Sequence, residues 1–229
     1  MTDLAVVCDF DGTATLLDIG DEISKRFGGL EHFQKQKERF ARGELDTRGI
    51  IESIYARVVA AEPEISSIAV EAARLTPGFV ELIAAARERG APFYLASGGL
   101  RQYIEAVLEA HLPAELRQHV RLRANEGIFS PSKPLRVRFP SDQESRRAGC
   151  SVCGSCKRVS IAEARREGKS YVLGIGDGFA DRCLVQFADR TFAREGSYLQ
   201  RYCLERGLAH TAFTDLHVAA EAVRRHGSC

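Results

Sequence analysis

The sequence predicts an α/β fold in which a Rossmann-like parallel sheet is flanked by helices and interrupted by an inserted helical segment. Three apolar runs without polar alternation, at residues 4–8, 92–96 and 171–176, have the pattern of strands that are buried on both faces. Helical periodicity separates these runs, and strands that alternate with helices imply right-handed crossovers and a parallel sheet. A chain of 229 residues can form one large domain with a smaller insertion.

The first predicted strand is followed by a long helical stretch, because no strand-like alternation occurs between residues 16 and 74. Glycines and a proline divide this stretch into several helices, and Asp46 or Thr47 can cap one of them. We therefore interpret residues 16–75 as a small helical domain, inserted into an α/β core formed by residues 1–15 and 76–229.

The remainder of the core continues the alternation. The pattern predicts helices over residues 80–89 and after the second strand, a weakly alternating strand at 120–124, and a long loop or irregular hairpin at 125–154. A helix is expected from Lys157 to Gly168, directly before the third strand. A short apolar segment at 191–193 and two helices, at 198–206 and 218–225, complete the chain.

Each of the three apolar runs ends in residues that carry chemistry. Asp9 and Asp11 follow the first, Ser97 follows the second, and Asp177 and Asp181 follow the third. In an open parallel sheet, ligands bind at the carboxyl ends of the strands. Carboxylates this close together are costly without a cation or a shared proton, so the pattern predicts a site for a divalent cation. The alternative is that Asp9 and Asp11 belong only to a capped strand end.

A hydroxyl, two glycines and a lysine extend this site to a phosphate. Ser97 and the amides of Gly98–Gly99, which we expect at a helix start, can hold phosphate oxygens. Lys157 supplies a point charge that offsets the repulsion between a carboxylate nucleophile and a phosphate. Lys133 and Lys169 are the other lysines nearby in the sequence.

These motifs resemble, in order and spacing, the four motifs of the haloacid dehalogenase superfamily. The matching segments are Asp9-Phe10-Asp11-Gly12-Thr13, Ser97-Gly98-Gly99, Lys157 and Gly176-Asp177-Gly178-Phe179-Ala180-Asp181. The resemblance implies the core fold of that superfamily, and the inserted helical segment is similar to its type-1 cap. It also implies a phosphatase, because an acid at the second aspartate favours hydrolysis of phosphate esters over the ATPase activity of some relatives.

The resemblance implies a role for each matching residue. Asp9 would be the nucleophile that forms an aspartyl-phosphate. Asp11 would protonate the leaving oxygen and then activate the hydrolytic water. Thr13 and Ser97 would hold the phosphoryl oxygens, and Lys157 would balance the charge.

The resemblance also implies a Mg²⁺ ion as cofactor. Asp177 would bind this ion together with Asp9 and the main-chain carbonyl of Asp11. Asp181 would support the metal or the lysine from behind. The alternative for Asp181 is that it only caps the helix that follows.

Two branches of the superfamily share features with this chain. The Ser-Gly-Gly and Gly-Asp-Gly-x-x-Asp forms resemble those of phosphoserine phosphatases. A likeness over nearly the whole chain is to the methionine-salvage phosphatases, which act on 2-hydroxy-3-keto-5-methylthiopentenyl 1-phosphate; it includes Phe93-Tyr94, the Cys150–Lys157 loop and Phe192-Ala193-Arg194. This resemblance implies the enol phosphate as substrate, with phosphoserine or another small amine phosphate as the alternative.

The helical cap provides two candidate substrate-binding residues, Asp18 and Tyr55. A phosphoserine site needs an acid, which Asp18 could supply, and an arginine that binds the carboxylate. At the position expected for that arginine the chain has Tyr55, with Arg48 and Arg57 close by in the sequence. Phe27 and Tyr55 would suit a methylthioalkyl chain, but the same residues also suit the core of a helical bundle.

The bulk composition limits the possible partners. The net charge of +1 provides no global field that would attract nucleic acid or an anionic membrane. No secretory signal and no apolar run of membrane-spanning length is visible, so we expect a cytoplasmic protein. Its expected partner is a small phosphorylated metabolite; the sequence predicts no oligomeric state.

A cysteine cluster leaves one further possibility open. Cys150, Cys153 and Cys156 have a spacing that suggests metal or redox chemistry in a reducing compartment, and a structural Zn²⁺ would need a fourth ligand that the sequence does not single out. A non-catalytic zinc-binding protein is therefore one alternative to the phosphatase. A phosphomutase, which would use the same aspartates but hold a bisphosphate intermediate, is the other.

Overall fold

The described part of the chain contains one seven-stranded sheet. The computed structural model describes residues 2–130, 132–150 and 157–227. Its strands are Leu4–Cys8 (β1), Phe93–Leu100 (β2), Val120–Ile128 (β3), Arg136–Arg138 (β4), Tyr171–Gly176 (β5), Arg190–Arg194 (β6) and Thr211–Phe213 (β7). They form one sheet in the order β4-β3-β2-β1-β5-β6-β7. All neighbouring pairs are parallel except β3 and β4, which are antiparallel.

The helices occupy both faces of this sheet and the stretch between β1 and β2. They are Ile19–Ile23 (α1), Leu30–Ala41 (α2), Thr47–Tyr55 (α3), Glu62–Ala72 (α4), Phe79–Glu88 (α5), Arg101–His111 (α6), Ala114–Arg117 (α7), Asp142–Arg147 (α8), Lys157–Arg166 (α9), Arg182–Phe187 (α10), Tyr198–Glu205 (α11) and His217–Arg225 (α12). None of the helices in the described part of the chain is long and apolar enough to cross a membrane.

The apolar run of β1 is explained by burial on both faces. Successive residues of a strand point to opposite sides of the sheet. Leu4 and Val6 pack in a cluster that includes residues of α5, α6 and α12. Ala5 and Val7 pack on the other side, with Ile161 of α9 and a leucine of α10. This arrangement confirms the predicted α/β class with helices on both faces.

The inserted helices begin and end at adjacent points of the core. Thr15 and Leu75 form an isolated antiparallel bridge, and the amide of Leu16 donates to the carbonyl of Arg74 at 2.8 Å. Between these points the structure contains α1 to α4 and a π-helical turn, with no strand among these described residues. The division into a cap at 16–75 and a core at 1–15 and 76–229 remains a prediction that agrees with this connectivity.

Several local predictions need correction. Residues 97–99 were expected at a helix start, but they lie in the last part of β2, and α6 begins only at Arg101. β3 extends to Ile128, beyond the predicted segment 120–124, and its end pairs with β4 in a hairpin, which is one of the two forms predicted for residues 125–154. The three-residue strand β7 and the six-residue helix α8 were not predicted, because elements this short carry too little periodicity to be recognised.

Candidate active site

The order of the strands brings the candidate catalytic residues together at one edge of the sheet. β1 lies between β2 and β5, and Cys8 at the end of β1 is paired with Leu95 on one side and Ile175 on the other. The three strands are parallel, so the residues that follow them leave the sheet at the same edge. The predicted meeting of three strand ends is therefore present in the structure.

Three aspartates and a lysine form the centre of the site. Asp9, Asp177 and Asp181 each place one carboxylate oxygen within 4.8 Å of the others, an arrangement that could hold a metal ion. Lys157, at the start of α9, is buried and its Nζ lies 2.9 Å from Oδ1 of Asp9 and 2.8 Å from Oδ1 of Asp181. The three carboxylates and the ammonium together leave two formal negative charges, which a divalent cation would neutralise.

Asp181 organises the loop that follows β5. Its Oδ2 accepts the main-chain N–H groups of Asp177 at 3.0 Å and Gly178 at 2.8 Å. Gly176 is required for this loop, because a Cβ at that position would lie 2.5 Å from Cγ of Asp181. Asp181 is completely buried and binds Lys157 through its other oxygen. It thus fixes both Lys157 and the backbone that carries Asp177.

Burial and mutual repulsion shift the pKa values of these groups. Burial, and secondarily the charge of Asp181, raises the pKa of Asp177 to about 6 and that of Asp9 well above its ordinary value. Burial opposes the charge of Lys157, but the neighbouring carboxylates Asp181 and Asp9 outweigh it and raise the lysine pKa. The lysine is therefore held in its charged form, while the carboxylates carry an electrostatic penalty that a cation would relieve.

Asp11 lies outside the three-carboxylate cluster and has different hydrogen-bond partners. Its Oδ1 accepts the N–H of Ile19 at 3.0 Å, and its Oδ2 accepts the hydroxyls of Ser97 at 3.1 Å and Tyr103 at 2.7 Å. Burial raises the pKa of Asp11, and these hydrogen bonds lower it in part. A carboxyl group with a raised pKa can carry a proton to a leaving group near neutral pH.

The predicted phosphate-binding residues have mixed outcomes. The hydroxyl of Thr13 donates to Oδ1 of Asp177 at 2.7 Å and is fully buried, so in this structure it orients a carboxylate. Ser97 and Gly98 do line the cavity described below. The carbonyl of Gly98 is fixed by Nδ2 of Asn125 at 2.8 Å, and the N–H of Gly99 donates to Oγ of Ser97, also at 2.8 Å. The expected pair of free glycine amides at a helix start is therefore not present.

The site opens into a cavity of about 670 Å³ between the sheet edge and the inserted helices. The sheet side contributes the chemical groups Asp9, Asp11, Ser97, Lys157 and Asp177. The inserted helices contribute an apolar surface, formed by Phe40, Ala41, Ile50, Ile51, Ile54 and Tyr55, together with the polar residues Asp18, Asp21, Lys37 and Thr47. Phe179 and Tyr198 complete the lining from the core, and Phe40 meets Phe179 edge to face at 5.3 Å between ring centroids.

Some of the cap residues considered for substrate binding line the cavity, and others do not. Asp18 and Tyr55 both line the cavity, and Asp18 caps α1 by accepting the N–H of Asp21 at 2.8 Å. Arg48 is engaged outside the cavity, where it pairs with Asp142 at 2.8 Å. Phe27, which suits either a substrate contact or the core of a helical bundle, packs against the hydrophobic core.

Two contributors to the site were missed at the level of sequence. Tyr103 was assigned only to a helix, yet its hydroxyl contacts Asp11; its position four residues after Gly99, on the first turn of the following helix, was the available signal. Phe40 fits the periodicity of a helix in the sequence, and no sequence feature places it at the site. Of the three cysteines that could hold a structural zinc ion, Cys153 and Cys156 lie outside the described residues.

Comparison with known proteins gives similar enzymes from bacteria. The bifunctional enzyme MtnB/MtnX of Bacillus licheniformis is 31% identical over 212 residues, which cover 92% of this chain but 47% of that relative. The chain thus spans about half the length of that protein. The 2-hydroxy-3-keto-5-methylthiopentenyl-1-phosphate phosphatase of Geobacillus thermodenitrificans is 29% identical over 224 residues, which cover 97% of this chain and 96% of the relative.

A solved structure and a family model complete the comparison. A substrate-bound phosphoserine phosphatase complex superposes with a TM-score of 0.72 at 19% identity, covering 97% of this chain and 98% of the other, and shows a shared fold. The names of the relatives agree with the predicted enzyme class, a phosphatase. The family model for haloacid dehalogenase-like hydrolases matches residues 6–186. The chain therefore belongs to the haloacid dehalogenase-like hydrolase family.

Proposed function

We propose that this chain is a Mg²⁺-dependent phosphatase that hydrolyses 2-hydroxy-3-keto-5-methylthiopentenyl 1-phosphate through an aspartyl-phosphate. The observation that carries the proposal is the convergence of Asp9, Asp177 and Lys157 at one end of a cavity that has an apolar surface on the side of the inserted helices. The polar end fits a phosphate and the apolar wall fits a methylthioalkyl chain.

The chemistry is assigned to two aspartates. Asp9 attacks the phosphorus with Oδ2, because Oδ1 already accepts the N–H of Phe10 at 2.8 Å and the ammonium of Lys157 at 2.9 Å. The bond from phosphorus to the substrate oxygen breaks, and that oxygen takes a proton from Asp11. Asp11 then removes a proton from water, which attacks the same phosphorus, and free phosphate leaves while the Asp9 carboxylate is restored.

Asp9 and Asp177 are the residues we expect to hold Mg²⁺, with the main-chain carbonyl of Asp11. The donor set fits, because hard oxygen ligands suit Mg²⁺ and the cluster carries two uncompensated negative charges. Asp181 uses one oxygen for two backbone N–H groups and the other for Lys157, so we assign it a supporting role. When bound, the ion would offset the negative charge of the phosphoryl group.

The cavity wall supports a substrate with an apolar tail. Phe40, Phe179 and Tyr198 form a continuous group of aromatic rings in the cavity lining, and aromatic rings make favourable contacts with thioether sulfur. Thr47 also lines the cavity, and its buried hydroxyl has no hydrogen-bond partner among the described residues, so we assign it to a keto or hydroxyl group of the substrate. The named substrate of the relatives has each of these groups.

Phosphoserine is the second candidate, and a specific observation favours it. Asp18 lines the cavity and could bind an ammonium group, while Lys37, also in the lining, could bind a carboxylate. Lys37 is already paired with Asp21 at 3.1 Å, however, and of the described residues no arginine lines the cavity. A bidentate carboxylate clamp of the kind that arginine provides is therefore missing.

Phosphate release from a panel of esters tests the proposal. With Mg²⁺, the enol phosphate should give a kcat/KM at least about 10-fold above that of phosphoserine, and EDTA should abolish both activities. A higher kcat/KM for phosphoserine would replace the proposed substrate. Asp9→Asn should remove all activity, and Asp3→Asn, at the other end of β1, should leave it unchanged; an active Asp9→Asn enzyme would reject Asp9 as the nucleophile.

A further inference from the structure

Asp11 is held on both of its carboxylate oxygens by groups from different parts of the fold. Oδ1 accepts the N–H of Ile19, at the start of the inserted helices. Oδ2 accepts two hydroxyls, from Ser97 at 3.1 Å and from Tyr103 at 2.7 Å. Ser97 belongs to a motif that already has a role, whereas Tyr103 has none in the mechanism above.

The Tyr103 hydroxyl occupies a place that the backbone leaves free for it. Its side chain is completely buried, so the hydroxyl cannot turn to bulk water. A Cβ at Gly99 would lie 1.8 Å from this hydroxyl oxygen and 2.6 Å from Oδ2 of Asp11. Only glycine at position 99 therefore permits the contact between Tyr103 and Asp11.

A second tyrosine lies beside this hydroxyl. The hydroxyl oxygens of Tyr55, from α3 of the inserted segment, and of Tyr103 lie 2.8 Å and 3.3 Å from the position that a Cβ at Gly20 would take. A tyrosine hydroxyl has one proton, and that of Tyr103 is directed to Asp11. The inserted helices thus contribute a second buried hydroxyl next to the contact between Tyr103 and Asp11.

We infer that Tyr103 is a positioning residue that fixes the Asp11 carboxyl for proton transfer to the leaving oxygen, an inference that rests on the proposed function. Proton transfer requires the carboxyl to lie within hydrogen-bond reach of the leaving oxygen, and a misplacement of about 1 Å can cost about 100-fold in rate. Without Tyr103, Oδ2 keeps only the longer contact with Ser97, whose oxygen also serves the N–H of Gly99.

Leaving-group dependence separates this role from a merely structural one. A p-nitrophenolate leaves without protonation, whereas an alkoxide needs the proton of Asp11. Tyr103→Phe should therefore lower kcat/KM for n-butyl phosphate by about 10-fold or more and for p-nitrophenyl phosphate by less than about threefold. The ratio of the two values does not depend on the fraction of folded enzyme, because both substrates report on the same active sites.

Tyr94→Phe is the matched control. Tyr94 is 1% exposed and its hydroxyl accepts Nη1 of Arg121 at 2.8 Å, so this variant also removes one hydroxyl from a buried tyrosine. Tyr94 packs in the cluster on the other face of the sheet from Tyr103. Its ratio of the two kcat/KM values should match the wild type within about twofold. Thermal unfolding of both variants measures any loss of stability.

A double variant provides an independent check. If Tyr103 acts through Asp11, then Tyr103→Phe should change kcat/KM for n-butyl phosphate by less than about twofold in the Asp11→Asn background, although the same substitution costs about 10-fold or more in the wild type. Equal losses on the alkyl and aryl esters in the single variant, or a full further loss in the double variant, would overturn the role of Tyr103 and leave the proposed phosphatase intact. A wild-type protein that cleaves neither ester would overturn the proposed function itself.

Discussion

Replacing Asp177 with asparagine should make the metal-free protein more stable. Asp177 is a nearly isosteric target, because Oδ1 of an asparagine can still accept the hydroxyl of Thr13, which now donates at 2.7 Å. What the substitution removes is a negative charge next to Asp9 and Asp181. The variant separates the electrostatic penalty of the metal-free cluster from the packing of the site.

The size of this gain follows from the pKa of Asp177. A value of about 6, in place of 3.8, corresponds to a penalty of about 3 kcal/mol on the folded state once the group is ionised. The folded-state pKa is the higher one, so the folded protein binds more protons and loses stability as pH rises from about 4 to about 6. At pH 7.5 the penalty is complete. For a chain of this size, 3 kcal/mol raises the midpoint of thermal unfolding by roughly 6–12 °C.

The assay is thermal unfolding at pH 7.5, with EDTA or with Mg²⁺. In EDTA, Asp177→Asn should melt above the wild type, and at pH 4 this difference should shrink. Mg²⁺ should stabilise the wild type by about 2.7 kcal/mol at 100 times its Kd and should leave the variant nearly unchanged. Asp46→Asn is the control, because asparagine caps α3 as well as aspartate does. A variant that melts below the wild type in EDTA, or responds equally to Mg²⁺, would refute the reasoning.

Three other substitutions test separate parts of the account. Lys157→Met should destabilise the protein by about 3–5 kcal/mol in urea unfolding and abolish phosphate release, because two buried carboxylates lose their counter-ion; near-wild-type turnover would exclude the lysine from catalysis. Gly99→Ala should lower kcat by about 10-fold or more, since its Cβ would displace the Tyr103 hydroxyl, and kinetics within threefold of wild type would contradict the steric argument. Arg194→Met should lower the free energy of unfolding by about 2–3 kcal/mol, because this half-buried side chain donates to the carbonyls of Thr13 and Thr15 and the hydroxyl of Thr76, where the inserted segment begins and ends. Arg190→Met, at an exposed position on the same strand, should lower it by less than about 1 kcal/mol. Equal losses in the two variants would rule out a stabilising role for these Arg194 contacts.

The sequence was most informative where one residue must serve both fold and chemistry. The apolar run before Asp9 predicted a central strand, and the positions of Asp9, Ser97 and Asp177 after three such runs predicted a common site. Parallel pairing makes this inference sound, since it places all carboxyl ends at one edge of the sheet. The confirmed α/β class and family therefore follow from features that a single sequence displays.

Side-chain direction was less accessible to the sequence. Thr13 is predicted to face the phosphate. In the structure Gly12 has a positive φ of 72°, and the hydroxyl of Thr13, the next residue, donates to Asp177. Phe27 and Tyr55 both fit a helical stripe, and only the packing of α1 to α4 decides that Tyr55 reaches the cavity while Phe27 joins the core. Tyr103 went unnoticed because a tyrosine on a helix face is an ordinary core residue until its partner Asp11 is in view.

The central claim is that Asp9 carries the phosphoryl group during turnover. The most direct measurement is mass spectrometry of enzyme quenched in acid during hydrolysis of the enol phosphate, after borohydride reduction of any acyl phosphate. We expect the aspartate at position 9 to be converted to homoserine, and only when Mg²⁺ and substrate are both present. Conversion at another aspartate, or turnover with no converted residue, would contradict the account.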